Sequence, residues 1–320
     1  MGVMTTSPDV VPEALRYLLR AVLAHTDARC NKSDLLLLVA PEGLPETMKP
    51  FEGDKPDDGD NENNSTSGNL IVTRSLIALT AFKLVSAEGA EIVATDTARR
   101  HWSKPSDVSA RSLSRVLRSQ LWQGATAGDD ALPADPDSDL VNALAVLHAW
   151  PEPLRPFDFE GGSGRRFDFA QAHWYGPNKA DWPITNVVQF APFRRWAAYL
   201  GYAQHVGKQS VIAEASQALV ADLHSLPRSR YRVRDFIDHC VRQLPISDGG
   251  SRTHWKPDDP REISPGLSMT LSQLEASGHV SIPPAESDRD SMVISLGSDR
   301  AGRNVSHLEW HPQDVAKERS

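Results

Sequence analysis

Two groups of side chains in this sequence have the types and spacing to meet an anion. The first lies in residues 98–120, where Arg99, Arg100, Lys104, Arg111, Arg115 and Arg118 stand against one acid, Asp107. Guanidinium and ammonium groups are charge-assisted donors, the chemistry that phosphate oxygens accept. Arg111, Arg115 and Arg118 are four and three residues apart, so a helix sets them on one face. Leu113, Val116, Leu117 and Leu121 take the opposite face. A solvated face paired with acids elsewhere is the plainer use of the same pattern. The second group is Ser264, Ser268, Thr270, Ser272 and Gln273, with Arg252, His254, Lys256 and Arg261 before it and Arg289 after it. Hydroxyls and a glutamine at the start of a helix bond to base edges or phosphates in a major groove, although no arginine, the strongest bidentate reader, stands on that helix.

Bond-making chemistry leaves little trace. The sequence has no His-Glu-x-x-His, no Cys-x-x-Cys, no nucleophile elbow and no Walker loop. The glycine-rich 161–166 is not followed by Gly-Lys-Ser/Thr, and the eleven histidines are scattered. Asp238-His239 is a single event, and Asp248-Gly249-Gly250 reads as a turn. Cys30 and Cys240 are far apart and show no ligand spacing. The expectation is therefore a protein with no catalytic residues, no cofactor and no metal.

The elements that position the second group lie in residues 263–297. Ser264 caps a helix with Pro265 at its first position, where a missing N–H costs nothing. Leu267, Leu271 and Leu274 form one buried stripe, and Gly278 ends the helix. Residues 280–282 and 293–296 alternate as two strands around a polar tip at 286–291. A helix followed by a hairpin is the second half of a winged helix. Residues 233–244, with Phe236, Ile237, Val241 and Leu244 inward, supply the helix before it, after a run of Arg228, Arg230, Arg232 and Arg234.

The same order is expected at the N-terminus. Val11, Leu15, Leu18, Leu19 and Val22 mark one helix, residues 31–34 cap a second, and the very apolar 70–84 makes a third. A hairpin over 85–95 turns at Glu88-Gly89. The segment 48–67, with six acids and almost nothing apolar, reads as a disordered insert. The third helix carries only Arg74 and Lys83 as bases, so contact with protein suits it better than contact with DNA. Between these regions the signals are mixed. A short helix is expected at 140–150, irregular aromatic-rich chain at 154–183, and helices at 186–202, with Arg194 and Arg195 outward, and at 210–226.

At 320 residues the chain is long enough for two or three domains. Its net charge of −8 means that any phosphate contact must come from a local basic patch. No apolar run approaches the ~20 residues of a membrane span, and no secretory signal opens the chain, so a cytoplasmic protein is expected.

Residues 193–203, Phe-Arg-Arg-Trp-Ala-Ala-Tyr-Leu-Gly-Tyr-Ala, resemble the DpdG proteins of prokaryotic gene islands for 7-deazaguanine DNA modification and its linked restriction. So do Phe236 onward to Leu244-Pro245-Ile246-Ser247-Asp248-Gly249-Gly250, and Ser264-Pro265-Gly266-Leu267-Ser268 with Leu271 and Leu274. The resemblance covers roughly 185–310. It implies an accessory role in a DNA-modification or anti-phage system, and it carries over no catalytic residues. The partners expected from the residues themselves are DNA, through Arg99 to Arg118 or the second winged helix, and other protein subunits, through the apolar first one.

The expected fold is mainly α with small β-hairpins (α+β), as two winged-helix domains joined by a helical and irregular middle region. The expected divisions are 8–97 (N-terminal winged helix), 98–184 (middle), 185–311 (C-terminal winged-helix domain) and 312–320 (tail). The expected function is non-catalytic. The alternatives are an adaptor that never touches DNA and a winged-helix transcription regulator.

Overall fold

The computed structural model describes residues 10–39, 67–123, 138–159, 165–284, 291–297 and 302–312. The acidic insert as far as residue 66, Arg289 and the tail after Pro312 lie outside the described residues. By contact the chain divides into two units, Pro8–Leu113 and Ser114–Ser320. Eleven α-helices and a set of short, mostly antiparallel strands among the described residues make it an α+β protein.

In the first unit α1 (Pro12–Ala24) starts on its proline and buries Leu15, Leu18, Leu19 and Val22, the stripe its spacing predicts. A short strand β1 (Arg29–Asn31) follows, then α2 (Lys32–Val39), whose entry is held by Asn31 Oδ1 accepting from the Ser33 N–H at 3.0 Å. After α3 (Ser67–Ala81) come β2 (Val85–Glu88) and β3 (Glu91–Ala94), giving a sheet of order β1-β3-β2. The hairpin turns at Gly89-Ala90, one residue later than expected. Gly89, at φ +63°, fills the first central position of a two-residue turn, where a side chain is disfavoured. The short α4 (Asp96–His101) comes next. Helix α5 (Ala110–Gln123) begins in this unit, and from Ser114 onward it clusters with the second.

The second unit departs from expectation in its first half. Residues 154–183, expected to be irregular, contain β4 (Phe157–Asp158), β5 (Arg165–Arg166) and α7 (Phe167–Tyr175). With α6 (Ser138–Ala149), α8 (Val187–Tyr199), β6 (Ala203–Val206) and β7 (Ser210–Ala213) they form one body around a sheet of order β5-β4-β7-β6. Its core is aromatic: Phe167 lies 5.6 Å from Phe157 and 5.3 Å from both Phe190 and Phe193, ring centre to ring centre. Each such buried ring contributes about 1.5–3 kcal/mol, enough to fold a segment that has no clear period of its own. Phe157 of β4 pairs with Val211 of β7, so the boundary expected at 184/185 runs through this sheet. The helix expected over 210–226 is also corrected. Residues 210–213 are strand, buried at every position and hence without alternation, and only α9 (Ser216–Asp222) is helical.

The second half contains β8 (Ser229–Arg232), α10 (Val233–Gln243), α11 (Pro265–Ala276), β9 (Val280–Ser281), β10 (Met292–Ile294), β11 (Arg303–Val305) and β12 (His307–Trp310). Helix α11 is capped by Ser264, starts on Pro265 and buries Leu267, Leu271 and Leu274, as the sequence predicts. The strand partner of β9 is different from the one expected. Val280 pairs with Trp310 of β12, while Met292–Ile294 pairs with β11 in a separate ribbon. Trp310 is fully buried against Phe236, a larger apolar anchor than the 293–296 run offers. The sheet order is β8-β12-β9.

One arrangement therefore occurs three times. Helix, strand, helix, helix, strand, strand is the order of α1-β1-α2-α3-β2-β3, of α6-β4-α7-α8-β6-β7 with β5 added, and of α9-β8-α10-α11-β9-β12 with the β10–β11 ribbon inserted. In each case the last strand lies between the other two.

Candidate nucleic-acid interface

The arginines of α5 do not act as one face. Arg118 is buried and makes a two-pronged ion pair with Asp222 at the end of α9, Nε to Oδ2 at 2.7 Å and Nη2 to Oδ1 at 2.6 Å. Its Nη1 donates to the Leu200 carbonyl (3.1 Å) and to Ser114 Oγ (3.3 Å). Burial opposes its charge, but Asp222 more than offsets this and holds the guanidinium above its ordinary pKa. Arg118 is therefore unavailable to a phosphate, and its place in the predicted patch is corrected. Arg111 and Arg115 are exposed, as are Arg100 and Lys104. Arg99 is exposed too, but its Nε and Nη2 donate to the carbonyls of Ala94 (3.0 Å) and Asp27 (2.6 Å), where it braces a left-handed turn at Asp27-Ala28.

The second group is mostly interior. Ser264 Oγ donates to Asp248 Oδ2 and the Ser264 N–H to Oδ1, both at 2.6 Å. Burial pushes the Asp248 carboxyl up, and the two Ser264 bonds oppose that shift. Ser268 Oγ donates to the Ile263 carbonyl and accepts from the Ser295 N–H, each at 3.3 Å. Thr270 Oγ1 donates to the Gly266 carbonyl (2.8 Å) and accepts from the Ala215 N–H (3.0 Å). All three serve the fold and none lies on a surface a duplex could touch. Helix α6 closes one side, since a Cβ added at Gly266 would sit 2.5 Å from His148 Nδ1, while Asp248, Ala215 and Ser295 meet the three hydroxyls from other segments. Ser272 is half-buried and bonded to the Ser268 carbonyl, and Gln273 alone of the five is exposed. Of the approach residues, Lys256 is exposed and Arg252 half-buried. Arg261 is exposed and paired with Asp259 at 2.6 Å. His254 stacks on Trp174 and meets the Tyr175 hydroxyl at 2.8 Å; burial, then Lys256, lowers its pKa.

A third basic group, absent from the predicted site residues, emerges on α8 and the β6–β7 hairpin. Asn186 caps α8 by accepting from the Gln189 N–H at 3.0 Å, and Val187 and Val188 stay exposed in the first turn. Arg194 and Arg195 are half-exposed, and Arg194 Nη1 donates to the Lys208 carbonyl at the hairpin tip (2.7 Å). His205 and Lys208 are exposed on the hairpin. Burial, then the neighbouring Arg195, lowers the Arg194 pKa; burial, then both arginines, lowers that of His205. Residues 182–213 contain no Asp or Glu. That gap was the available sequence signal. Elsewhere, a cavity of about 160 Å³ opens beside the Arg118–Asp222 pair, also lined by Trp122 and His224. Among the described residues no group of three or more His, Cys, Asp or Glu gathers as metal ligands.

A mixed α+β chain of small repeated helix-and-sheet bodies, with cations in local patches, is the class of protein defined so far. The DpdG-like family model matches residues 1–288, and the chain belongs to that family. Membership associates it with DNA-modification systems. The match takes in the first unit and, of the 185–310 stretch that carries the resemblance, the part up to residue 288, and it stops before β10. No curated protein and no solved structure matches the chain. No helix among the described residues is long and apolar enough to cross a membrane.

Proposed function

We propose that this protein is a non-catalytic accessory component of a DNA-modification, restriction or anti-phage system, which holds DNA and partner subunits without transforming them. One observation carries the reading. Helix, strand, helix, helix, strand, strand with the last strand central is the order of a winged helix, and the N-terminal unit and the C-terminal end of the chain both follow it. Winged helices serve nucleic acids and proteins alike, and the family's link to DNA modification favours nucleic acid as one partner. Two pairs of buried polar groups that could otherwise serve chemistry are taken up by the fold, Arg118 with Asp222 and Asp248 with Ser264, and this favours a non-catalytic role. Anisotropy of a labelled duplex mixed with the full chain tests the DNA half. Binding at low salt that weakens steeply as salt rises is expected. No binding at low salt, with the partner proteins also present, would remove DNA from the reading.

A second reading, an adaptor for proteins alone, is favoured by the N-terminal unit. Leu37, Leu38 and Ile77 each expose more than half their surface, and its hairpin is acidic at Glu88 and Glu91, with Arg29 paired to both. Co-purification with partner subunits that persists when Arg111 and Arg115 are replaced by Glu, in a chain without DNA affinity, is the outcome it expects.

A further inference from the structure

The middle body, α6-β4-α7-α8-β6-β7, repeats the element order and strand order of the other two, although its sequence reads as linker and irregular chain. In a winged helix the third helix and the hairpin after it are the parts that reach a groove and its flanking phosphates. The three bodies differ sharply in what those parts carry. In the first, α3 has Arg74 as its one base and the hairpin has Glu88 and Glu91. In the last, α11 has no base, its first turn is enclosed by α6, and Arg303 on the strands that follow is paired with Glu275 at 2.7 Å. In the middle body, α8 carries Arg194 and Arg195, the hairpin carries His205 and Lys208, and no acid occurs in residues 182–213 of a chain with net charge −8.

We propose that the middle body is a third winged helix and the one that meets DNA, with Arg194, Arg195 and Lys208 on the phosphate backbone and the first turn of α8 towards the groove. The inference rests on the DNA-binding reading above and assigns it a surface. Arg194 ties the hairpin tip to α8 through the Lys208 carbonyl, so helix and wing are presented together. Its Nε is buried without a hydrogen-bond partner, and no carboxylate bonds to it among the described residues. Exposed Val187 and Val188 offer an apolar edge of the kind that packs against thymine methyl groups. The occupant is a nucleic acid on grounds of charge: three cations with no acid in their segment attract a polyanion and repel a basic surface.

The test uses the full chain and anisotropy of labelled duplex and single-stranded DNA over a range of salt. Replacing Arg194, Arg195 and Lys208 by Glu is expected to weaken duplex binding by about tenfold or more at low salt, and to reduce the salt slope by about 2.7, at ~0.9 for each phosphate no longer neutralised. Because Arg194 also braces the hairpin, the pair Arg195→Gln and Lys208→Gln supplies a variant that leaves that tie intact, with an expected slope reduction of about 1.8 on the same basis. Circular dichroism checks that both variants remain folded. Duplex binding equal to wild type in both folded variants overturns the assignment while leaving a DNA-binding protein. Loss confined to the Arg111→Glu, Arg115→Glu variant overturns it too and moves the contact to α5. A wild-type chain that binds neither duplex nor single strand at low salt, with the partner proteins also present, sinks the DNA reading and this surface with it. A single strand preferred over duplex overturns the groove geometry.

Discussion

Helices α8 and α11 hold the same place in the same order of elements, yet they meet different surroundings. The first turn of α8 leaves Val187 and Val188 in solvent, and two arginines follow half-exposed. The corresponding turn of α11 is closed: Ser264, Gly266, Ser268 and Thr270 are buried, and α6 leaves no room for a methyl group at Gly266. Position in a topology thus makes a helix eligible to contact a ligand, and what packs on it decides whether it can. The hydroxyls of α11 look like readers of a groove in sequence, but in the fold they saturate buried backbone groups, which would otherwise cost ~1–3 kcal/mol each.

The largest effect that would sharpen this contrast is expected at Arg118, which braces the end of α8 through the Leu200 carbonyl and is paired with Asp222. Arg118→Ala leaves the Asp222 carboxylate buried and alone, and a loss of about 3–5 kcal/mol in urea unfolding is expected. Arg115→Ala, three residues earlier and exposed, should stay within about 0.5 kcal/mol. Unchanged stability with lost DNA affinity in Arg118→Ala would restore the single basic face that the spacing suggested.

Next comes the seat of α11. His148 is fully buried, its Nε2 lies 2.8 Å from the Tyr202 carbonyl, and burial lowers its pKa from 6.5 to about 4. The native ring is neutral, so the unfolded chain takes up a proton first as pH falls. The stabilising contribution is complete above 6.5, erodes below it and is gone below about 4. Its full size is about 3 kcal/mol, from the shift at ~1.4 kcal/mol per pH unit. Urea unfolding above 6.5 and near 4 should show this loss in the wild type and less of it in His148→Gln. Equal slopes in both would mean that His148 is not held neutral.

The smallest of the three is Gly266→Ala, expected to cost about 1–3 kcal/mol through overpacking against His148. A thermal midpoint equal to wild type would show that α11 is free of α6, and would reopen its first turn as a reading surface.

Legibility in sequence followed the range of the interaction. The stripe of α1, the Ser264-Pro265 start of α11, its Leu267, Leu271 and Leu274, and the hairpin at 85–94 were all readable. Each depends on residues within one or two turns of each other. The middle body was not, because β7 is buried at every position and α7 is aromatic without a clean period. A strand with apolar residues on both faces and a short helix in an aromatic core give the same string of letters as irregular chain. The candidate site fared worse still. Type and spacing place Arg118 and Ser268 in contact sites, but Asp222 and Ser295, which spacing does not disclose, take both up.

On its own, then, the amino-acid order settled local matters: where α1 and α11 start, which residues point inward along them, and that residues 182–213 carry cations without a single acid. The folded chain decided which arginine is a surface group and which is buried, since Asp222 lies 104 residues from Arg118. It also chose Trp310 rather than the 293–296 run as the partner of Val280, and enclosed α11 while leaving α8 open. The reason is physical. Capping, periodicity and turn geometry are set over a few bonds, whereas burial and ion pairing depend on which distant surfaces come together to exclude water.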